Sequence, residues 1–427
     1  AAALAAAVAA TLAAAALAAT ALAAATLATA ALAAARAATV TAFGLLAFGA
    51  LASYGLARPA VESMYLGTYG ADALPLVWLA VALVAMVVVT IYNRYAATVH
   101  PARLFGIAAL VSAVLLVGLL LARSAGLPGS DFALYVWKDV YIVVLVEIFW
   151  TYANQVFPIA KARWLYGFFL LAGAGGSVLA ELGVGVIAQR WDTAQAVWMV
   201  APLLLLLAVG CVPLARRAAS GEPSPPPVQR PGLVESFAVL KTSRYVGLLL
   251  GLIAITQVVI TLVDYQFNAV VLAYYPEQDA RTGVIGDVYA AISTTVLVLN
   301  ALSGFVLRFV GVSATLLAIP SLLGLALVAA AVGPAFAAMV VAKVASKAFD
   351  YSLFRSAKEI LYIPLGPLEK TRGKAIVDML GYRVAKGLAS LLILGLGAVD
   401  ALAGVVAATF VGLAVWIVLT RWLIRGF

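Results

Sequence analysis

Apolar runs of about eighteen residues or more follow one another along nearly the whole of this 427-residue chain, each long enough for a helix to cross a hydrocarbon layer about 30 Å thick. Lipid offers no partner to a backbone amide, so such runs are expected to be helices. The composition agrees, with 65% of residues hydrophobic and only 11% charged, outside the range of soluble domains. Candidate spans fall at about 40–57, 73–95, 102–123, 133–157, 164–188 and 194–214, and again at about 244–272, 284–306, 312–332, 334–362, 375–398 and 402–423. Between the two sets lies a stretch with Arg216, Arg217 and the run EPSPPP at 222–227, which has the composition of a water-exposed linker.

The expected organisation is therefore an Ala-rich segment at 1–36, a six-helix half at 37–215, a linker at 216–232 and a second six-helix half at 233–427. Residues 1–36 hold only Ala, Leu, Thr, Val and one Arg. They lack the basic start of a signal peptide, and as one helix they would run about 54 Å, too long for an upright crossing. Two readings stay open: sequence foreign to the body, or a helix packing through small residues on the body or on a protein partner.

A formal charge of +9 raises nucleic acid as a partner, but in a membrane chain basic residues gather in cytoplasmic loops. Threading the spans alternately puts Arg94, Arg103, Lys161, Arg163, Arg216, Arg217, Arg230, Lys370, Arg372, Lys374, Arg421 and Arg425 on one side. The other side is mixed or acidic, with Glu62, Asp72, Asp131, Asp192, Glu277, Asp279 and Asp400. Both ends of the body are thus expected in the cytoplasm, in an integral membrane protein of a bacterial inner membrane, with no nucleic-acid partner. Two six-helix halves with a cytoplasmic linker is the layout of major-facilitator transporters, whose site lies between the halves near the midplane. The fold class expected is all-α, major-facilitator-like, with about twelve transmembrane helices.

One cysteine, Cys211, and one histidine, His100, leave no disulfide framework and no Cys or His metal cluster. Gly173 to Ser177 (GAGGS) lacks the Gly-Lys-Ser/Thr ending and the preceding strand of a phosphate loop, so close helix packing is the better reading. No hydrolytic or nucleophilic signature is present. Neither an enzyme nor a cofactor is expected.

Ionisable groups inside spans are costly in hydrocarbon and point to function. In the fourth span Glu147, Thr151 and Asn154 share a face, and in the seventh Gln257, Thr261, Asp264 and Asn268 do so over three turns. These stripes are either cavity walls or a hydrogen-bonded seam between helices. In the tenth span Lys343, Lys347, Asp350 and Lys358 share a broad face, with Arg355 and Glu359 as a second pair. The eleventh carries Lys374, Asp378 and Tyr382, then Arg383 and Lys386. Lys370 and Arg372 are expected to be loop charges. Several cations from adjacent helices, partly balanced by carboxylates, suit an anionic solute such as a phosphate or nucleotide.

The same segments carry a family resemblance. The runs FWTYANQ (149–155) and KARWLYGF (161–168) resemble the fourth-to-fifth helix region of the ATP/ADP carriers of plastids and intracellular bacteria. SLFRSAKEILYIPL (352–365), with RGKAIVD (372–378), Arg383 and Lys386, resembles their tenth-to-eleventh helix region more closely, and ITLVD (260–264) their seventh. The resemblance runs in patches from about Arg58 to Ala389. It implies a major-facilitator-like fold, nucleotide exchange, and roles in charge balance or phosphate binding for Asp264, Lys358, Glu359, Lys374, Asp378, Arg383 and Lys386. The chain departs from the family pattern at Asp264, usually Glu, at Asn268, usually Lys, and at Arg355-Ser356, which replaces an acidic-proline turn. Its first span also lacks the family's lysine, and losing two cations weakens the case for a triphosphate.

The leading expectation is a transporter of a nucleotide or other phosphorylated anion. A non-transporting membrane subunit, or a carrier of an unrelated solute coupled to protons through Glu147 or Asp264, are the alternatives. Candidate site residues are Lys358, Glu359, Lys374, Asp378, Arg383, Lys386, Asp264, Asn268, Arg355, Glu147 and Asn154, with Glu147 and Asn154 facing the rest across the seam.

Overall fold

The computed structural model describes residues 37–96, 98–157, 159–219, 243–332, 335–366, 382–397 and 401–426. The Ala-rich segment and most of the expected linker lie outside the described residues. The first six crossings are α1 (Ala37–Tyr69), α2 (Leu74–Ala96), α3 (Pro101–Ser124), α4 (Ser130–Val156), α5 (Ile159–Arg190) and a sixth made of α6 (Thr193–Trp198) and α7 (Val200–Ala219). The second six are α8 (Arg244–Tyr274), α9 (Gln278–Phe309), α10 (Val312–Val332), a broken tenth crossing, α13 (Tyr382–Leu396) and α14 (Ala401–Gly426). The tenth consists of α11 (Ala335–Phe349), a π-turn (Asp350–Phe354) and α12 (Arg355–Leu361). One end of the bundle holds residues 70–73, 125–129, 191–192 and 275–277 and is called the far end; the other holds Ala219 and Ser243 and is the linker end.

Nine described helices are long and apolar enough to cross a membrane. The other three crossings, α4, the broken tenth and α13, are short or interrupted by charge, and all three contribute to the seam described below. Large apolar side chains such as Leu83, Leu115, Leu206 and Leu325 are exposed on the outer surface, as contact with lipid requires. The protein is an integral membrane protein.

Turns fall where backbone freedom allows a tight reversal. Gly70 at the end of α1 has φ of 74° and Gly311 between α9 and α10 has φ of 85°, values that side chains with a Cβ rarely adopt. At α3 the helix starts on His100, whose Nδ1 accepts the Ala102 N–H at 3.2 Å, with Pro101 at the first helical position, where a missing N–H costs nothing.

In the first half α3 packs on α4 and α7, and α2 on α4; in the second α8 packs on α11, α13 and α14. The halves meet along α5 against α9 and α2 against α13. Small residues permit these approaches. A Cβ on Gly185 would lie 2.8 Å from the Gly283 Cα, and one on Gly286 would lie 2.6 Å from the Glu181 carbonyl. The GAGGS stretch sits within α5, where Gly173 faces Ala47 and Leu51 and Gly176 lies against the Phe48 backbone. In lipid there is little hydrophobic drive between helices, so this close contact is what joins them.

Two boundaries matter for the site. The first helix runs on to Tyr69, three turns beyond the expected end near 57, because the charges at Arg58 and Glu62 are accommodated inside the bundle instead of ending the span. The eighth crossing likewise begins at Gln278 and carries Arg281 inside the fold.

Candidate functional site

Midway along the seam a cavity of about 280 Å³ is lined from both halves. From the first half come Tyr54, Arg58 and Glu62 of α1, Trp78 of α2, and Tyr135, Lys138 and Asp139 of α4. From the second come Asp264 of α8, Tyr289 of α9, Lys347 and Tyr351 of the tenth crossing, and Lys386 of α13.

Its charges are held in a few tight contacts. Asp264 receives Lys343 Nζ at 2.9 Å on one oxygen and Lys347 Nζ at 2.7 Å on the other, so two cations one helical turn apart on α11 share one carboxylate. Lys138 Nζ meets Asp139 at 2.8 Å and lies 3.6 Å from the Tyr135 ring centroid. Glu62 accepts the Tyr289 hydroxyl at 2.6 Å across the seam. Arg58 stacks on Tyr289 at 3.7 Å, and Lys386 lies over Trp78 at 5.4 Å. Burying these ions is tolerable only because they are paired or placed on an aromatic face.

The far end of the seam is closed by hydrogen bonds between halves. Arg281, fully buried, donates from Nε to Ser63 Oγ at 3.2 Å and from Nη2 to Ser63 O at 2.8 Å. Its Nη1 donates to Tyr275 O and Pro276 O, while Ser63 Oγ donates to Gln278 O at 2.8 Å. Gly67 leaves room for the guanidinium, since a Cβ there would lie 2.8 Å from Nη2. Thr193 donates N–H and hydroxyl to Asp279 at 2.9 and 2.6 Å, and Tyr265 donates to Asp72 at 2.7 Å. Exposure of the cavity wall rises in the other direction. Tyr289 and Glu62 are 1% and 4% exposed, whereas Val143 and Tyr351, nearer the linker end, are 40% and 37% exposed. Among the described residues the cavity is sealed on the far side, and its wall becomes more exposed toward the linker end.

Of the expected site residues, Asp264 and Lys386 line this cavity. Asn268 does not: it is fully buried, and its Nδ2 donates to the Asp264 carbonyl at 2.8 Å, so the lower part of the α8 stripe is packed inside the bundle. Asn154 is exposed and accepts the Tyr166 hydroxyl at 2.6 Å, a contact within the first half near the linker end. Glu147 is half-buried on α4, one turn past the lining residue Val143. Arg355 and Glu359 are exposed and Lys358 is buried, all on α12, and none lines the cavity. The π-turn adds roughly one residue to the turn and so takes Lys358 off the Lys343–Lys347 face, while Arg355 and Glu359 lie one and two turns past the lining Tyr351, toward the linker end. Lys374 and Asp378 lie outside the described residues, as does the Arg383 side chain.

Sequence reasoning missed Arg58, Glu62, Lys138 and Asp139 as lining residues. Lys138 and Asp139 sit in the run YVWKDVYIVV, and an adjacent charge pair inside an otherwise apolar and aromatic span is itself the signal. Glu62 was assigned to a loop because α1 was ended too early.

Residues 325–427 match the sequence profile of the TLC ATP/ADP transporter family. The chain is 25% identical over 306 residues to ADP,ATP carrier protein 5 of Rickettsia felis, covering 60% of this chain and 59% of that one. It is 25% identical over 334 residues to the chloroplastic ADP,ATP carrier protein 1 of Arabidopsis thaliana, covering 68% and 52%. The chain is similar in sequence to the ATP/ADP carriers. The match to Chlamydia muridarum ADP,ATP carrier protein 1 is similar, at 26% identity over 340 residues, 68% of this chain and 63% of the other. These alignments span between about half and just over three-fifths of the relatives' length.

Among solved structures, the nucleoside transporter NupG superposes with a TM-score of 0.67 at 11% identity, covering 90% of this chain and 98% of that one. A bacterial homologue of the iron transporter ferroportin, in its inward-facing state, gives 0.64 at 14% identity, covering 90% and 98%. The fold is accordingly major-facilitator-like, and these relatives and neighbours are transporters rather than enzymes.

Proposed function

We propose that this protein is a secondary transporter that carries a nucleotide or another phosphorylated anion across a bacterial inner membrane by alternating access of its two halves. The observation that carries this reading is the mid-seam cavity, whose charged and aromatic walls come from both halves and which is closed at its far end. A solute held between the halves contacts both, so its binding changes their relative free energy, which is the requirement for coupling binding to rocking. Cations supply charge-assisted hydrogen bonds to phosphate oxygens, and Trp78, Tyr135, Tyr289 and Tyr351 offer faces for a flat base.

The linker end is taken as cytoplasmic, with both ends of the body on that side, from the basic residues that gather there. The 216–232 linker then joins the halves in the cytoplasm, although α7 continues helical to Ala219. The opposing reading, a membrane subunit that keeps the fold without transport, would fit a seam filled by bulky side chains better than a lined cavity.

Reconstitution into liposomes tests the choice. Uptake of labelled nucleotides should be saturable and should be stimulated by unlabelled nucleotide inside. Absence of uptake, together with no thermal shift by any nucleotide or phosphate ester, would favour the subunit.

A further inference from the structure

Resting on the transporter reading, the charge balance of the cavity narrows the solute. The lining cations are Arg58, Lys138, Lys347 and Lys386, and Lys343 joins them through its bond to Asp264. The lining carboxylates are Glu62, Asp139 and Asp264. Five cations against three carboxylates leave an excess of two positive charges among the described residues. That excess falls in two places, one charge on the Lys343–Asp264–Lys347 trio and one on Arg58 and Lys386 taken with Glu62. Lys138 is spent on Asp139, and Lys343 and Lys347 share Asp264. Among the described residues no carboxylate lies within ion-pair distance of Arg58 or Lys386; each instead rests on a ring.

Those two contacts are reciprocal. Arg58 of the first half lies on Tyr289 of the second, and Lys386 of the second lies over Trp78 of the first. Each cation already reaches across the seam, and a ring face is a weaker partner for it than a phosphate oxygen is.

We propose that Arg58 and Lys386 are the anion-binding pair and that the cavity is matched to a phosphate monoester of a nucleoside, with about two negative charges, rather than to a di- or triphosphate. A monoester phosphate carries close to two negative charges at neutral pH, which neutralises the excess. Among the described residues, each further phosphate adds charge beyond that excess, next to Glu62, Asp139 and Asp264. Between protein walls this mismatch is screened less than it would be in bulk water. The cavity's size agrees, since about 280 Å³ is at the lower edge of the roughly 300–1,000 Å³ of small-molecule sites. The ring freed when each cation turns to the phosphate becomes available to stack on the base.

The test is binding to the full-length protein in lipid nanodiscs, with AMP, ADP, ATP, adenosine and inorganic phosphate as probes, followed by counterflow in liposomes. AMP should bind about tenfold or more tightly than ATP, with ADP between, and adenosine should be weak because it leaves both cations unmet. Arg58→Gln and Lys386→Gln should each weaken AMP by about tenfold or more, so that the preference for AMP over adenosine falls. Glu62→Gln keeps a hydrogen-bonding group for Tyr289, and Asp139→Asn one for Lys138; each raises the positive excess. Either should therefore shift preference from AMP toward ADP.

ATP or ADP bound as tightly as AMP, or an ADP-to-AMP ratio unmoved in both charge-raising variants once melting curves show them folded, would overturn this inference and leave nucleotide transport standing. Failure of every phosphate probe to bind or move would overturn the transporter reading and this inference with it.

Discussion

The two ends of the inter-half seam are held by different means. At the far end the polar contacts cross between halves: Arg281 to Ser63, Thr193 to Asp279, Tyr265 to Asp72. Toward the linker end, Tyr166 to Asn154, Tyr92 to Thr151 and Tyr245 to the Leu361 carbonyl are hydrogen bonds within one half. Both ends bury aromatic and aliphatic side chains, and in lipid that burial does little to favour one partner over another. Which end is shut is therefore decided by a few directional bonds, whose exchange for others is how one packing gives way to a second.

The most damaging change to this contrast should be Arg281→Ala. It removes four donated hydrogen bonds and strands the carbonyls of Ser63, Tyr275 and Pro276. The Ser63 acceptors are buried, whereas Tyr275 is half-buried and Pro276 exposed to water, so at about 1–3 kcal/mol for a buried acceptor left unmet the far-end closure should weaken by about 2–3 kcal/mol. Spin labels on the α1–α2 and α8–α9 turns should report longer distances between halves, with linker-end distances shorter. Unchanged far-end distances in a folded variant would show that Arg281 is not the clamp.

A pair of substitutions on one helix sharpens the contrast. Gly286→Ala, on the far side of α9, drives a Cβ to 2.6 Å from both the Glu181 carbonyl and Val184. Overpacking of this kind costs about 1–3 kcal/mol. Gly304→Ala, near the linker end of α9, meets nothing within 4 Å and should stabilise by about 0.5–1 kcal/mol through helix propensity. Melting temperatures should move in opposite directions, and a shift of the same sign in both would mean that α9 is not differently packed at its two ends.

Tyr166→Phe should matter less still. It deletes the bond to Asn154 in an exposed setting, where water replaces the lost partner, so about 0.5–1 kcal/mol is expected. Distances between halves should not change, because the bond lies within one half. A changed inter-half distance would give the linker end a clamp of its own.

How much of this was legible in the sequence differs between fold and site. Nine of the crossings follow from length and apolarity alone, because the bilayer imposes both, whereas α4, the broken tenth and α13 are short or interrupted by charge. Helix ends at charged residues were less legible. Arg58, Glu62 and Arg281 look like loop residues until a second half supplies Tyr289 and Ser63 as partners, and partners distant in sequence leave no local trace. Asp264 and Lys386 stood out because a charge amid apolar residues needs a reason. In the Arg355–Lys358–Glu359 group, where the family resemblance is strongest, the π-turn at Asp350–Phe354 takes Lys358 off the cavity face and Arg355 and Glu359 lie beyond the cavity toward the linker end, a break that helical spacing in the sequence does not announce.

The smallest expected effect is a pH dependence confined to the linker end. His100 lies in the turn between α2 and α3, half-buried, with Nδ1 accepting the Ala102 N–H and its ring edge-on to Tyr152 at 5.5 Å. Burial, and secondarily the charge of Arg103, lowers the imidazole pKa below its ordinary value. The folded state therefore binds a proton less readily than the unfolded state does. The His100 contribution is then present at neutral and higher pH and is lost as pH falls through the ordinary histidine range, near 6.5, and below it. Protonated Nδ1 also cannot accept from Ala102, so the start of α3 loses its cap. Solvent screens much of this at a half-exposed site, and the loss should stay under about 1 kcal/mol. Hydrogen exchange at the first turn of α3, corrected for the intrinsic pH dependence, should quicken between pH 7.5 and 5.5, about one unit either side of that value. His100→Asn, which caps without titrating, should flatten the profile. Exchange at Thr193 and Arg281 should show no matching change, and far-end amides that loosened in step with α3 would mean that the two ends do not respond independently.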